Sequence, residues 1–324
     1  MAEDAQGNAD RTVVGVDGSP GAREALVWAL TDAVRRDVPV EVVSTFPVQL
    51  FLADPFTLDA GQLEAVRADT LSRARAQVAE VRAETRLTDV PVEVLAVAGP
   101  PAPMLLAASE DAGMLVVGSR GRGAVRRLVL GSVALSSVTH ARVPVVVVHP
   151  AADGEVPDGA AAEGEAAEGE APAGPPRVVV GLDGSAASTL ALERAAREAA
   201  LLGAEVHAVS AYSSASYWSD AYAVVLPPPE QLAEEVRVAA ERQVAAAQLP
   251  GGVPVRVESL EGPAGHVLVA AARGARLLVL GGHGQGAVRG LLMGSVALHC
   301  VLSGPCPVMV VPEPHEGGRH ATEA

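Results

Sequence analysis

The sequence predicts an α/β protein of two tandem domains, each an open, parallel five-stranded sheet with helices on both faces. Three observations predict this class. Four sequence blocks occur twice in the same order, Val-rich runs alternate with stretches of helical periodicity, and an acidic segment separates the two copies. Strands that alternate with helices are typical of a parallel sheet covered on both faces.

The duplication sets the domain boundaries. The matched pairs are 11–19 with 177–185, 115–125 with 278–288, 130–135 with 293–298, and 144–148 with 307–311. Two copies indicate a tandem pair rather than a solenoid. The segment 151–176 contains seven acidic residues and no basic one, and it lacks the apolar residues of a core. We therefore predict domains at 11–150 and 177–312, a disordered linker at 151–176, and flexible ends at 1–10 and 313–324.

The first half begins with a short apolar run. Residues 13–16 form a predicted strand that leads into Asp-Gly-Ser-Pro, a typical helix start. Over 22–34, Ala and Leu fall on one face at helical spacing. A second strand is predicted at 40–45. The long, charged and amphipathic segment 58–86 predicts a helix.

The later elements of the first half are shorter. Strands are predicted at 92–97 and 115–117, with a short helix at 103–109 between them. A glycine cluster follows the second of these strands. A helix at 132–140 and a strand at 145–148 then complete the half, and the second copy repeats this order.

Composition excludes several classes of protein. The 324 residues have a net charge of −15, which argues against a nucleic-acid partner, since phosphate backbones select basic surfaces. All 24 basic residues are arginine, so every mechanism that needs a lysine is excluded. Cys300 and Cys306 are too few for a disulfide framework or a cysteine zinc site, and we interpret both as buried apolar residues.

The sequence pattern predicts neither a membrane span nor a secretory signal. The uncharged stretch 290–312 is interrupted by Gly, Ser, His and Pro, so it predicts a helix and a short buried strand rather than a membrane span. Residues 1–10 are polar and acidic, unlike a secretory signal. We expect a cytoplasmic protein without a membrane partner. His140, His149 and His207 lie in or beside predicted elements and are interpreted as structural.

A glycine motif follows the fourth strand of each copy. Its spacing is Gly-x2-Gly-x9-Gly-Ser, and it comprises Gly118, Gly121, Gly131 and Ser132 in the first copy and Gly281, Gly284, Gly294 and Ser295 in the second. Glycines let backbone N–H groups approach a ligand, and a helix start favours an anion. A Ser at this position is able to cap the helix. The motif predicts a phosphate site, with turn geometry alone as the alternative.

At these residues the chain resembles the universal stress protein family. The resemblance rests on Val-Gly-Val-Asp17-Gly-Ser, on Val117-Gly-Ser-Arg-Gly, and on the glycine spacing, which marks the ATP-binding branch of that family. It covers nearly the whole chain outside the linker and the ends. It implies Rossmann-like domains of the adenine nucleotide α-hydrolase type, with ATP and Mg²⁺ between the first and fourth strand ends.

The resemblance also assigns candidate binding residues. It implies that Asp17 and Asp183 lie near the adenosine, and that the motif glycines and serines hold the ribose and the phosphates. The candidate binding residues are Gly15, Asp17, Gly118, Arg120, Gly121, Gly131, Ser132 and Val133 in the first copy, and Gly181, Asp183, Gly281, His283, Gly284, Gly294, Ser295 and Val296 in the second.

The two copies differ inside the glycine loop. Arg120 is always charged, whereas His283 is charged only part of the time near neutral pH. We therefore predict stronger and less pH-dependent ATP binding in the first copy. Ala134 and Ala297 occupy a position where some family members carry a hydroxyl, so one phosphate contact is expected to be missing.

These features favour an ATP-binding regulator or sensor of the stress response. The alternatives are an interaction protein that needs no nucleotide and an enzyme that slowly hydrolyses ATP or transfers its phosphate. The sequence provides no lysine and no general base beyond Asp17 and Asp183, which argues against the enzyme. The apolar strands 145–148 and 308–311 are expected at sheet edges, which invite pairing, and the resemblance implies that these strands mediate dimer contacts. We therefore expect the two halves to pair within the chain and two chains to assemble as a homodimer.

Overall fold

The computed structural model describes residues 11–47, 60–121, 130–150, 175–213, 228–284 and 293–313. The predicted flexible N-terminus lies outside these described residues, as do 151–174 of the predicted linker and 314–324 of the predicted C-terminal tail.

The first half alternates strands and helices in the predicted order. The predicted bounds of its last helix and last strand are confirmed, and each of the other elements differs from the prediction by at most two residues at either end. The elements are β1 (Thr12–Gly15), α1 (Pro20–Arg36), β2 (Val40–Phe46), α2 (Ala60–Thr85), β3 (Val92–Ala98), α3 (Pro101–Ser109), β4 (Met114–Gly118), α4 (Ser132–His140) and β5 (Val145–Val148).

The second half repeats this order. The uncharged stretch near the end of the chain contains a helix and a strand, as predicted, and no helix in the described part of the chain is long and apolar enough to cross a membrane. The elements are β6 (Arg177–Gly181), α5 (Ala186–Leu202), β7 (Glu205–Tyr212), α6 (Pro229–Ala246), β8 (Val255–Glu261), α7 (Ala264–Ala271), β9 (Leu277–Gly281), α8 (Ser295–Ser303) and β10 (Val308–Val311).

Each half is a parallel five-stranded sheet, and the two sheets form one continuous sheet. The strand order is β3-β2-β1-β4-β5-β10-β9-β6-β7-β8. At the centre β5 and β10 pair antiparallel, with Val147 opposite Val308 and Val145 opposite Val310. We call this junction, together with the side chains that cross it, the seam. The outer edges of the ten-stranded sheet are β3 and β8.

Both faces of the sheet are buried, which explains the continuous Val runs. Successive strand residues point to opposite faces. Val14 therefore packs in the layer with Leu26 of α1, and Val13 packs in the layer with Leu105 of α3. Cys300 belongs to the second layer, and burial raises the pKa of its thiol to about 12, which confirms a buried apolar role.

A buried ionic network joins α1 to α5 across the seam. Arg36 Nε lies 2.5 Å from Asp32 Oδ2 within α1, and the same guanidinium also contacts the Glu198 carboxylate of α5. Arg194 Nε lies 2.6 Å from the other oxygen of Glu198. Asp32 and Glu198 are almost fully buried. Burial raises the pKa of Asp32, and Arg36 opposes that rise.

The helices that follow the first and the fourth strand of each half differ in how their N-termini are capped. Ser19 and Ser185 cap α1 and α5, because each side chain accepts a hydrogen bond from the backbone three residues later. Ser132 and Ser295 do not cap, contrary to our expectation. The N-cap residues of α4 and α8 are the preceding glycines, which have no side chain to satisfy the first N–H groups.

Candidate functional site

A cavity lies in each half where the strand order reverses, between the carboxyl ends of the first and fourth strands. This is the position at which open parallel sheets bind ligands. The cavity of the first half has a volume of about 460 Å³ and is lined by Gly15, Val16, Asp17, Ala22, Val43, Thr45, Pro101, Leu105, Val117, Gly118, Arg120, Gly121, Leu130, Gly131, Ser132, Val133 and Ala134. All eight candidate residues of the first copy are among them.

The cavity of the second half has a volume of about 290 Å³. It also contains all eight candidate residues of its copy, so the structure brings every candidate residue to a cavity wall. The lining residues are Gly181, Leu182, Asp183, Ser188, Val209, Ala211, Ala264, Leu268, Leu280, Gly281, His283, Gly284, Met293, Gly294, Ser295, Val296 and Ala297.

The acidic residue after the first strand is held by its own turn. Asp17 Oδ1 accepts a hydrogen bond from the Ser19 amide at 2.9 Å. In the second half, Asp183 Oδ1 accepts from the amide and the hydroxyl of Ser185, at 3.0 and 2.6 Å. One carboxylate oxygen thus orders the turn, and the other lies against the glycine loop. A Cβ on Gly121 would lie 2.7 Å from Asp17 Oδ2.

The first glycine of each loop permits close contact between strand and helix. A Cβ on Gly118 would lie 2.6 Å from the backbone of Gly21 at the start of α1. A Cβ on Gly281 would lie 2.8 Å from the backbone of Ala187 in α5. Any larger side chain at either position would push β4 or β9 away from the neighbouring helix and would change the shape of the cavity.

The glycine loop and the helix after it are connected by a backbone hydrogen bond. The Gly131 amide donates to the Ser119 carbonyl at 2.9 Å, and the Gly294 amide donates to the Gly282 carbonyl at 2.8 Å. This bond fixes the N-terminus of α4 or α8 at the cavity. Since these helices lack a side-chain cap, their first N–H groups and the positive end of the dipole are available to an anion.

The sequence did not single out the apolar walls of the cavities. Val43 and Leu105 line the first cavity, and Val209 and Leu268 line the second. These apolar residues occur at matching positions in both copies, and that repetition is the sequence signal that could have identified them as cavity walls. Leu105 packs so closely on Gly15 that a Cβ there would lie 2.8 Å from a Leu105 methyl carbon.

The second half fixes its acidic turn with an additional side chain. Gln243 of α6 accepts a hydrogen bond from the Gly184 amide at 3.1 Å, and its own amide donates to the hydroxyls of Ser188 and Thr189, both at 2.8 Å. The matching residue of the first half, Gln77, makes no side-chain hydrogen bond within the described residues. Gln243 therefore ties the turn at Asp183 to α6 through hydrogen bonds that Gln77 does not make at the turn of Asp17.

This double α/β architecture, with a glycine loop and an uncapped helix start in each half, defines a duplicated Rossmann-like fold. The sequence model of the universal stress protein family matches residues 8–149 and 175–312. The chain therefore belongs to the universal stress protein family.

Known proteins agree with this assignment. Universal stress protein Rv2005c of Mycobacterium tuberculosis is 35% identical over 309 residues, which cover 92% of this chain and 95% of that protein. The crystal structure of a universal stress protein from Archaeoglobus fulgidus covers 95% of this chain and 99% of its own, with a TM-score of 0.62 and 20% identity, and shows the same fold.

A shorter universal stress protein from Archaeoglobus fulgidus was solved in complex with dAMP. It is 29% identical and covers 43% of this chain and 96% of its own, with a TM-score of 0.30.

Proposed function

We propose that each cavity binds an adenine nucleotide, ATP with Mg²⁺, and that its occupancy makes the chain a nucleotide-dependent regulator of the stress response. One observation supports this most strongly. In both halves an acidic residue, a glycine loop and an uncapped helix N-terminus meet around one cavity at the point where strand order reverses. An anionic ligand with a polar middle and an apolar end matches this arrangement.

The chemistry of the donors fits the parts of a nucleotide. Phosphates would accept from the first N–H groups of α4, with Arg120 as the nearby cation. Carboxylate oxygens of Asp17 would accept from ribose hydroxyls. The apolar side chains Val43 and Leu105 offer contact to a flat base. The corresponding residues of the second half would act in the same way, with His283 in place of Arg120.

Magnesium would come with the phosphates. The described residues contain no group of three or more His, Cys, Asp or Glu side chains that could hold a metal ion. Mg²⁺ is commonly bound through substrate phosphates and one or two carboxylates, with water as the remaining ligands. Bound Mg²⁺ would neutralise phosphate charge. The chain's own contribution would be the N–H groups and the cation that orient the phosphate chain.

The test is to denature freshly purified protein, to identify any released nucleotide by chromatography, and then to titrate the nucleotide-free protein with ATP and Mg²⁺. Release or uptake of adenine nucleotide supports the proposal. Neither release nor uptake would contradict it and would favour the nucleotide-independent interaction protein. Measured turnover of ATP would instead support the slow enzyme.

We also propose that residues 11–150 and 177–312 act as two domains paired within one chain. The matched family ranges and the β5–β10 pairing support this. The homodimer expected from the sequence stays a prediction, because β5 and β10 occupy each other's edges in the described sheet. Light scattering over a range of protein concentrations tests it, and a mass of one chain throughout would contradict it.

A further inference from the structure

His149 makes a hydrogen bond across the seam. It follows β5 of the first half, and its Nε2 lies 2.9 Å from the carbonyl oxygen of Val301 in α8 of the second half. A carbonyl oxygen only accepts hydrogen bonds, so Nε2 carries the hydrogen and donates it. The neutral ring therefore has its lone pair on Nδ1.

The acceptor is a carbonyl that its own helix leaves without a donor. In an α-helix the Val301 carbonyl would accept from the amide four residues later, but that residue is Pro305, which has no N–H. Carbonyls near a helix C-terminus need partners from outside the helix. His149 supplies this partner from the other half of the chain.

The other ring nitrogen is the unusual feature. Nδ1 of His149 is buried and has no hydrogen-bond partner among the described residues. Burial lowers the pKa of His149, and the positive charge of Arg120 lowers it further, whereas the backbones of Val301 and Cys306 raise it. The backbone places His149 beside the first glycine loop, because the amide of Ser119, next to Arg120, donates to the carbonyl of Val148, next to His149, at 2.8 Å. The ring thus lies between the first cavity and the second half of the chain.

Other charges around His149 are few in the described structure. Arg120 is the one charged group that acts on the ring there. On the second-half side, burial raises the pKa of the Cys306 thiol to about 12, so this group stays neutral. Arg177 acts on Cys306. A change in the field of Arg120 is therefore the change that His149 would sense.

We propose that His149 couples anion binding at the first cavity to the packing of α8 and β10 in the second half, an inference that rests on the proposed nucleotide site at Arg120. An anion beside Arg120 offsets the field of the guanidinium and favours a proton on Nδ1. The protonated ring gains a second donor, which the Cys306 backbone is placed to accept. Occupancy of the first cavity thereby adds a hydrogen bond across the seam.

Among the described residues, the second cavity lacks a counterpart of His149. The residue after β10 that corresponds to His149 is Pro312, which neither titrates nor donates. Because coupling between two ligands is reciprocal, a proton on His149 must also favour the anion at the first cavity. The first cavity is therefore expected to bind ATP more tightly as pH falls, through a residue that does not touch the ligand.

The test uses the full chain with Asp183→Ala, which removes the proposed ribose acceptor of the second cavity and is expected to abolish binding there. ATP with Mg²⁺ is titrated calorimetrically at a series of pH values that begins at about 7.5 and extends well below the ordinary histidine pKa of about 6.5, because burial lowers the pKa of His149. The same measurement is made with His149→Gln added. That variant keeps a donor for the Val301 carbonyl but cannot titrate, and it shares any pH effect that arises from ATP itself.

We expect acidification to tighten binding by about fivefold more in the protein with His149 than in His149→Gln, the lower end of common allosteric couplings. ATP at the lower pH values should also slow amide hydrogen exchange in α8 and β10, and only where His149 is present. Equal pH dependence in the two proteins would overturn the coupling even though ATP binds.

A ligand-free measurement separates this inference from the proposed function. Without ATP, Arg120→Gln should raise the pKa of His149 followed by NMR, because a positive charge is removed. An unchanged pKa would overturn the link between the cavity and the seam. If the ring responds to Arg120→Gln but ATP binds to neither cavity, the proposed function fails while the electrostatic link remains.

Discussion

The two halves of the chain differ mainly in the side chains around a common backbone. Both have the same strand order, the same glycine spacing and the same uncapped helix start. The first cavity, however, is larger, with about 460 Å³ against about 290 Å³, and it carries Arg120 where the second carries His283. The second half in turn holds its acidic turn through Gln243.

This comparison separates the features that both cavities share from those that vary between them. The shared features are the backbone of the glycine loop and of the helix start, the acidic residue after the first strand, and the apolar wall. The features that differ set the charge, the hydrogen bonds of the turn and the volume. Ala22 and Ser188, for example, occupy corresponding positions on the two cavity walls. Paired substitutions in the two halves therefore test each contribution against an internal control.

The largest expected effect concerns the seam, where Asp32 and Glu198 occupy corresponding helix positions. Glu198→Leu removes the carboxylate that Arg36 and Arg194 share and leaves both guanidinium groups without this partner. The substitution should lower the free energy of unfolding by about 3–5 kcal/mol. Asp32→Asn should lower it by about 1 kcal/mol, because burial already disfavours the ionised Asp32. Denaturant unfolding of both variants measures the difference, and equal losses would contradict it.

The next effect concerns the glycine loops. Gly118→Ala should weaken ATP binding at the first cavity by about a hundredfold, since the added methyl meets the backbone of Gly21 and displaces the loop. Gly281→Ala should do the same at the second cavity alone. Gly251→Ala is the matched control, because an added Cβ there has nothing within 4 Å. Loss of both sites from either single loop variant would argue against independent cavities.

A smaller effect is expected from the side chain that fixes the second turn. Gln243→Ala removes the acceptor of the Gly184 amide and the donor to Ser188 and Thr189, and should lower the free energy of unfolding by about 2 kcal/mol. Gln77→Ala in the first half should change it by less than about 0.5 kcal/mol. Thermal unfolding of the two variants compares them. A similar loss for Gln77→Ala would mean that both turns are held alike.

Exchange of the residue inside the glycine loop should change ATP affinity. A guanidinium is always charged and offers a fork of donors to phosphate. In Asp17→Ala, which leaves the second cavity, adding His283→Arg should tighten ATP binding by about fivefold, which corresponds to about 1 kcal/mol. Calorimetric titration of the two proteins measures the difference, and equal affinities would contradict a role of the loop cation in phosphate binding.

The smallest effect is a loss of stability in acid that originates at His149. Burial lowers the pKa of His149 in the folded chain below its ordinary 6.5. Between these two values the unfolded chain binds more protons than the folded one, so stability is lost as pH falls through this interval. Unfolding midpoints at a series of pH values should show this decline in the wild type and a weaker one in His149→Gln. Identical curves would contradict it.

Much of the fold could be predicted from the sequence because its signals are local. The bounds of α4 and β5 follow from helical spacing and from a pure Val run. The sixteen candidate residues follow from a duplicated glycine spacing, which the topology brings together at one edge of each sheet.

The remaining features depend on contacts between distant segments. The Asp32–Glu198 network and the bond of His149 to Val301 exist only because β5 and β10 pair antiparallel in one register. No local pattern encodes that register. The expected caps at Ser132 and Ser295 were wrong for a different reason. The helices begin one residue earlier than a serine cap requires, since the preceding glycines hold the extended N-cap backbone.

The most direct test of the account is the number of ATP molecules bound per chain, measured by equilibrium dialysis with Mg²⁺. The two cavities predict two in the wild type, one in Gly118→Ala, one in Gly281→Ala, and none in the double variant. ATP that stays bound in the double variant would place the site outside these cavities. No binding to the folded wild type would contradict nucleotide-dependent function altogether.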